Sequence, residues 1–256
     1  MTAASMDPTE RFSTRVEDYA RHRPSYPPEL VPWLRERGGL AAGAVVADVG
    51  SGTGIFARQL LDAELTVVGI EPNSAMRRVA EESLGAHPRF TSLAGRAEAT
   101  RLEAASVELV TAAQAFHWFD RQAARREFAR ILRPGGLVAL VWNARTAATP
   151  FLRAYEDHLQ RFGLEYGSVD HRGLQSSNFE AFFGPGGFQV ATFTNRQVLD
   201  FEGLRGRHYS SSYTPPPDHP EHAADLRALR HLFDAHEERG SVTIEYETKV
   251  YCGGLE

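Results

Sequence analysis

The sequence carries one cysteine, Cys252, in 256 residues. That excludes an internal disulfide and any site built from several thiolates, and it suits a reducing compartment. No apolar run reaches the ~18 residues of a membrane span. The opening residues, Met1 to Pro8, lack the basic start and apolar centre of a secretory leader, so the expected address is the cytoplasm. Basic excess is missing too: Lys and Arg number 28 against 33 Asp and Glu, a formal charge of −5, which is the wrong sign for a phosphate backbone. Neither nucleic acid nor a membrane is an expected partner. The local cluster Arg125, Arg126, Arg130 and Arg133 reads as the solvated side and end of a helix. There is no internal repeat, and the low-complexity content is Pro215-Pro216-Pro217.

Against these absences stand apolar runs at 45–49, 65–70, 107–112 and 137–142, with a weaker one at 90–93, separated by segments of helical period. That alternation is the pattern of a parallel sheet covered on both faces. Helices are expected over 12–20 and 29–37, parted by the prolines of His22-Arg23-Pro24-Ser25-Tyr26-Pro27-Pro28. Ala124, Phe128 and Ile131 repeat at helical spacing and stop at Arg133-Pro134-Gly135-Gly136. Beyond Asn143 the character changes. A helix over 151–162, a Gly, Ser and Asn-rich loop and an aromatic segment at Phe179, Phe182 and Phe183 read as an insertion spanning 144–186. Alternating segments at 188–193 and 242–251 suit strands that close the sheet, with a helix over 223–236 between them.

The chemistry concentrates at Gly50-Ser51-Gly52-Thr53-Gly54, which directly follows the first apolar run and opens a helix. A second run ends in Glu71, 17 residues beyond Gly54, where a strand-borne acid meets ribose hydroxyls in nucleoside-binding folds. A dinucleotide fingerprint needs a third glycine at the sixth position, which Ile55 occupies. Asp48, beside the loop, would repel a pyrophosphate and attract an ammonium group. Together these favour S-adenosylmethionine over a nicotinamide cofactor, because its amino-acid end is cationic and aromatic faces can stabilise its sulfonium.

With these motifs the chain resembles the class I S-adenosylmethionine-dependent methyltransferases, in particular the small-molecule branch similar to trans-aconitate and ubiquinone-type enzymes. The likeness covers about residues 12 to 143, through Arg23-Pro24-Ser25-Tyr26-Pro27, Val46 to Gly54, Val68 to Asn73, Gln114 to Asp120 and Leu132 to Gly136. It implies an α/β, Rossmann-like doubly wound sheet of seven strands, mostly parallel with an antiparallel C-terminal strand, and a helical insertion over the active site. The expected organisation is a single domain over 1–256 with an N-terminal lid at 10–30, as a monomer or homodimer. By the same resemblance Asp48 and Gly50, Ser51, Gly52, Thr53 and Gly54 flank the methionine part, and Glu71 takes the ribose hydroxyls. Ala97 and Glu98 lie beside adenine, and Gln114, Ala115, Phe116 and Trp118 cross beneath the sulfonium. Arg23, Tyr26, Pro72 and Met76 complete the expected cofactor set. Where relatives carry an acid near adenine, this chain has Arg96.

Three residues are candidates for catalysis: His117, as an unperturbed imidazole titrates near neutrality, Asn143 at the end of the fifth expected strand, and Tyr209 in His208-Tyr209-Ser210-Ser211-Ser212-Tyr213. No metal site is expected. The expected reaction is methyl transfer to a small acceptor, a carboxylate or secondary metabolite among the candidates. An alternative keeps the cofactor and cyclises it to azetidine-2-carboxylate and methylthioadenosine. A further one is a cofactor-binding protein without catalysis.

Overall fold

The computed structural model describes residues 16–164, 166 and 176–255. The part of the expected lid at 10–15, and residues 165 and 167–175 of the expected insertion, lie outside them. Strands β1 (Val45–Val49), β2 (Thr66–Ile70), β3 (Phe90–Leu93), β4 (Val107–Ala113), β5 (Leu132–Arg145), β6 (Gln189–Leu199) and β7 (Val242–Gly253) form one sheet in the order β3-β2-β1-β4-β5-β7-β6. The first five pair in parallel, and β7 runs antiparallel to both β5 and β6. Chain order reverses between β1 and β4, the place where open α/β sheets leave a crevice at their carboxyl ends.

Each central strand reads as an unbroken apolar run because successive side chains enter different cores. Val46, Val67, Leu109, Ala139 and Val141 pack with Leu30, Val31 and Leu34 of α2 (Leu30–Gly38) and Phe56 and Leu60 of α3 (Ile55–Asp62). Ala47, Val110, Ala112, Val138, Leu140 and Trp142 face the opposite way, toward Ala124, Phe128 and Ile131 of α5 (Arg121–Ile131). Helix α4 (Ser74–Leu84) starts on the Asn73 side chain, which accepts from the Met76 N–H, and α5 starts on Asp120 in the same way. The Pro134-Gly135-Gly136 turn lies inside β5 rather than before it. Gly135, at φ 79°, and a register shift between Val107 and Leu109 absorb the extra residues as a bulge.

The 144–186 segment divides. Helix α6 (Pro150–Phe162), capped by Thr149, packs with α8 (Phe201–Tyr209), α9 (His222–His236) and the first residues of β7. These build a cap beyond the end of β5, where Arg145 pairs with Tyr246. Helix α7 (Ser176–Phe183) instead covers a sheet face, with Phe179, Phe182 and Phe183 joining the α5 core. Helix α1 (Val16–His22) lies against α8. Among the described residues no helix is long and apolar enough to cross a membrane.

Candidate functional site

The glycine loop is held in a form that side chains resist. Gly50, Gly52 and Gly54 have φ of 70°, 56° and 84°, in the left-handed region that glycine enters without steric cost. A Cβ on Gly50 would stand 2.5 Å from the Cβ of Ala115, and one on Gly54 2.6 Å from Leu84, so the loop is drawn close against the segment after β4 and against α4. Glu71 is fixed across from it: Gly52 N–H donates to one carboxylate oxygen at 2.9 Å and Asn73 N–H to the other at 2.8 Å. Burial raises the Glu71 pKa, while those two donors and Arg77 oppose the rise. Each oxygen retains acceptor capacity for a further donor.

Asp48 is sealed at 1% exposure. Its Oδ1 accepts from the Thr111 hydroxyl at 2.8 Å, and Oδ2 has no partner among the described residues. Burial drives its pKa up, the Thr111 hydroxyl pulls it back, and the charge of Glu71 adds to the rise, leaving it at about 7. A buried carboxylate oxygen without a donor is uncommon in a folded protein, and an ammonium group is the partner its chemistry asks for. Gln114 also departs from the ordinary, with φ at 58° directly after β4; its side chain donates to the Asn143 carbonyl at 3.1 Å. Such strain is sustained where the surroundings fix it and clusters at ligand sites.

Gly50, Gly52, Glu71 and Gln114 line an open cleft of about 180 Å³ at the β1/β4 crossover, whereas Asp48 is buried behind the loop and is not among the residues of its wall. Of the expected cofactor residues, Gly50, Gly52, Glu71, Pro72, Met76, Ala97, Glu98, Gln114, Ala115 and Trp118 line it. So do Tyr19, Asn73, Gly95, Arg96, Ala113 and Phe119, which sequence reading left out of the cofactor set. Tyr19 falls within the expected lid at 10–30, and Arg96 within the expected adenine segment. Gly95 carried no signal, although a Cβ there would meet Ile70 at 2.8 Å.

Several expected residues fall elsewhere. Phe116 is fully buried and packs edge-on against Phe119, Trp142 and Phe182, so it is a core residue with no face for a cofactor. Tyr26 packs edge-on against Phe56 at 4.9 Å, and Arg23 donates to the Ser210 carbonyl at 3.0 Å; neither lines the cleft. Ser51, Thr53 and Gly54 belong to the loop but not to the cleft wall. The three catalytic candidates are not brought together. His117 packs beside Trp118, with ring centroids 4.6 Å apart. Asn143 is committed to structure, donating to the Ser25 carbonyl and accepting from Thr248 and Asn195. The Tyr209 hydroxyl donates to Asp225 at 2.8 Å and faces a different cavity, beside Arg21 and His22.

The cap holds two polar clusters that sequence spacing did not show. In one, Asp225 bridges His158 and His208 at 2.8 and 3.0 Å. The three have the chemistry of metal ligands and lie close enough together to share one; in this structure their side chains are hydrogen-bonded to one another. The other gathers Arg145, Arg207, Tyr155, Tyr166, Tyr213 and Tyr246.

Residues 47–140 match the model of a family described as a methyltransferase domain. An uncharacterised methyltransferase of Mycobacterium tuberculosis is 39% identical over 163 residues, 64% of each chain, and one of Schizosaccharomyces pombe 29% identical over 151 residues, 59% of each. The chain thus spans under two thirds of these relatives' lengths. Among solved structures, a protein of Anaeromyxobacter dehalogenans described as a type II methyltransferase superposes with a TM-score of 0.64 at 22% identity, over 91% of this chain and 98% of that one. An S-adenosylmethionine-dependent methyltransferase of Geobacter sulfurreducens, solved with S-adenosylhomocysteine, gives 0.52 at 18%, over 94% and 98%. At such identities the superpositions carry the fold. Residues 47–140 thus match a methyltransferase domain, and with the glycine loop and the Glu71 clamp the chain is similar to the class I S-adenosylmethionine-dependent methyltransferases.

Proposed function

We propose that the protein transfers a methyl group from S-adenosylmethionine to a small-molecule acceptor. The observation that carries this reading is the pairing of a clamped carboxylate, Glu71, with an unpartnered one, Asp48, on either side of a glycine loop at the crossover. Glu71 is the residue to accept from ribose hydroxyls, and Asp48 the one to hold the ammonium. Bound there, the cofactor supplies an activated methyl carbon. The protein's own work is then to orient the acceptor, exclude water and deal with the acceptor's proton. Trp118 and Phe119 line the cleft wall and would help to exclude water, and Gln114, which also lines it, is braced on the Asn143 carbonyl.

The test is the sulfur-containing product. Purified protein with cofactor alone is expected to leave it intact, and S-adenosylhomocysteine is expected to accumulate when a pool of small acceptors is added. Methylthioadenosine from protein and cofactor alone would replace this reading with the cyclase. Tight cofactor binding without any turnover, across a broad acceptor set, would leave the protein a binder.

A further inference from the structure

Arg23, Arg145 and Arg207 come from three separate places in the chain and gather around Tyr213 in the cap, beyond the carboxyl end of β5. Arg145 ends β5, two residues past Asn143, whose carbonyl braces the cleft residue Gln114. Arg207 is on α8 and only 4% exposed. Arg23 follows α1 and lies over the ring of Tyr19, 4.7 Å from its centroid, and Tyr19 lines the cofactor cleft. Tyr213 is the group the three cations share. Arg145 donates to it at 3.3 Å, and all three act electrostatically on it.

Their mutual compensation is incomplete. Among the described residues Glu156 is the one carboxylate bonded to any of the three, reached by Arg145 at 3.4 Å and shared with the Tyr166 hydroxyl. Arg207 is satisfied by neutral oxygens, those of Tyr246 and Ser211. Arg23 Nε is sealed from solvent without a partner among the described residues. Buried donors are ordinarily paired, and like charges brought together in a low-dielectric setting oppose folding. A forked guanidinium matches a planar or tetrahedral oxyanion with two parallel hydrogen bonds.

Resting on the methyl-transfer reading, we propose that Arg145, Arg207 and Arg23 form the acceptor subsite, and that the acceptor carries an oxyanion group, a carboxylate or a phosphate, seated at the Tyr213 hydroxyl. Without acceptor, Tyr213 serves as the internal counter-charge. Burial would raise its pKa, but Arg145, Arg207 and Arg23 outweigh that and bring it down to about 7. An arriving anion takes over those three partners, so the tyrosine regains its proton as the acceptor binds.

The experiment uses the full chain saturated with S-adenosylhomocysteine and two probes, succinate and inorganic phosphate, followed by calorimetry and by tyrosinate absorbance at a pH of about 7.5, just above the Tyr213 pKa. At least one probe is expected to bind and to reduce the tyrosinate signal. Succinate alone identifies a carboxylate acceptor, and phosphate alone a phosphorylated one. Arg145→Gln, at a half-buried site, is expected to weaken that binding on the order of tenfold to a hundredfold, as the loss of a charge-assisted pair predicts. Arg145→Lys should restore only part, since it keeps charge and loses the fork. Arg207→Gln is the deeper test, and Tyr213→Phe removes the optical signal without the arginines. No binding of either probe, or binding unchanged in both arginine variants, overturns the proposal. Titration of S-adenosylhomocysteine itself separates the two readings: its failure to bind sinks the cofactor assignment while the anion arms still judge the arginines.

Discussion

Replacing Asp48 by asparagine should stabilise the empty protein and weaken its hold on the cofactor, and the two effects have one cause. The carboxyl is 1% exposed with Oδ2 unpartnered, and its pKa stands at about 7 against 3.8 for the free side chain. A carboxyl whose folded pKa is raised binds its proton more tightly folded than unfolded. Its contribution to stability is therefore greatest below the unfolded pKa and is lost as pH rises through the folded one. At 1.36 kcal/mol per unit, the difference amounts to about 4 kcal/mol lost between roughly pH 4 and pH 8. The amide that replaces the carboxyl does not titrate, so its fixed costs cancel when only the pH trend is compared. The melting temperature of Asp48→Asn relative to wild type should climb by roughly 10 °C over that interval, at the 2–4 °C per kcal/mol usual for this size. Calorimetric titration with S-adenosylmethionine should show the reverse: wild-type affinity rising as pH passes about 7, because the ammonium needs an ionised partner, and a weaker, flat profile in the variant. A melting difference independent of pH, or a cofactor affinity unchanged by the substitution, would refute the argument.

Glu71→Gln should cost on the order of tenfold to a hundredfold in cofactor affinity by calorimetry, since an amide nitrogen must face one of the two N–H donors that now hold the carboxylate. Tyr213 should ionise near neutrality, giving a tyrosinate absorbance step at about pH 7 worth one of the eight tyrosines, absent in Tyr213→Phe; a wild-type spectrum flat well into the alkaline range would contradict the arginine cluster as described. Asp225→Asn should destabilise by about 3–5 kcal/mol, as removal of one member of a buried charged network does, read as a lower denaturation midpoint. Asn143→Ala should leave the sheet intact and raise hydrogen exchange over residues 22–26, because Asn143 holds the Ser25 carbonyl.

What was legible in the sequence is what repeats or is punctuated. The strands announced themselves because both faces of the sheet are covered, which turns each central strand into an apolar run. The loop announced itself because three left-handed turns require three glycines, and Glu71 because β2 delivers it beside that loop. Packing that joins distant segments left no local trace. Phe116 reads as an aromatic near the cofactor, and only the arrival of Phe179 and Phe182 from far along the chain, on α7, makes it core. Asn143 reads as a pocket residue by its place at a strand end, yet its amide is taken up by Ser25, Asn195 and Thr248, whose proximity depends on β6 and β7 returning to the sheet. The arginines illustrate the same limit from the other side. Arg23, Arg145 and Arg207 sit in unrelated contexts, each ordinary in a chain whose net charge is negative, and their meaning is created by the cap that α6, α8 and α9 build. The glycine loop and Glu71 lie within local motifs along β1 and β2, whereas the proposed acceptor subsite draws Arg23, Arg145 and Arg207 from three separated segments. A relative that keeps the glycine loop and Glu71 while changing Arg145 or Arg207 should therefore bind the same cofactor and take a different acceptor.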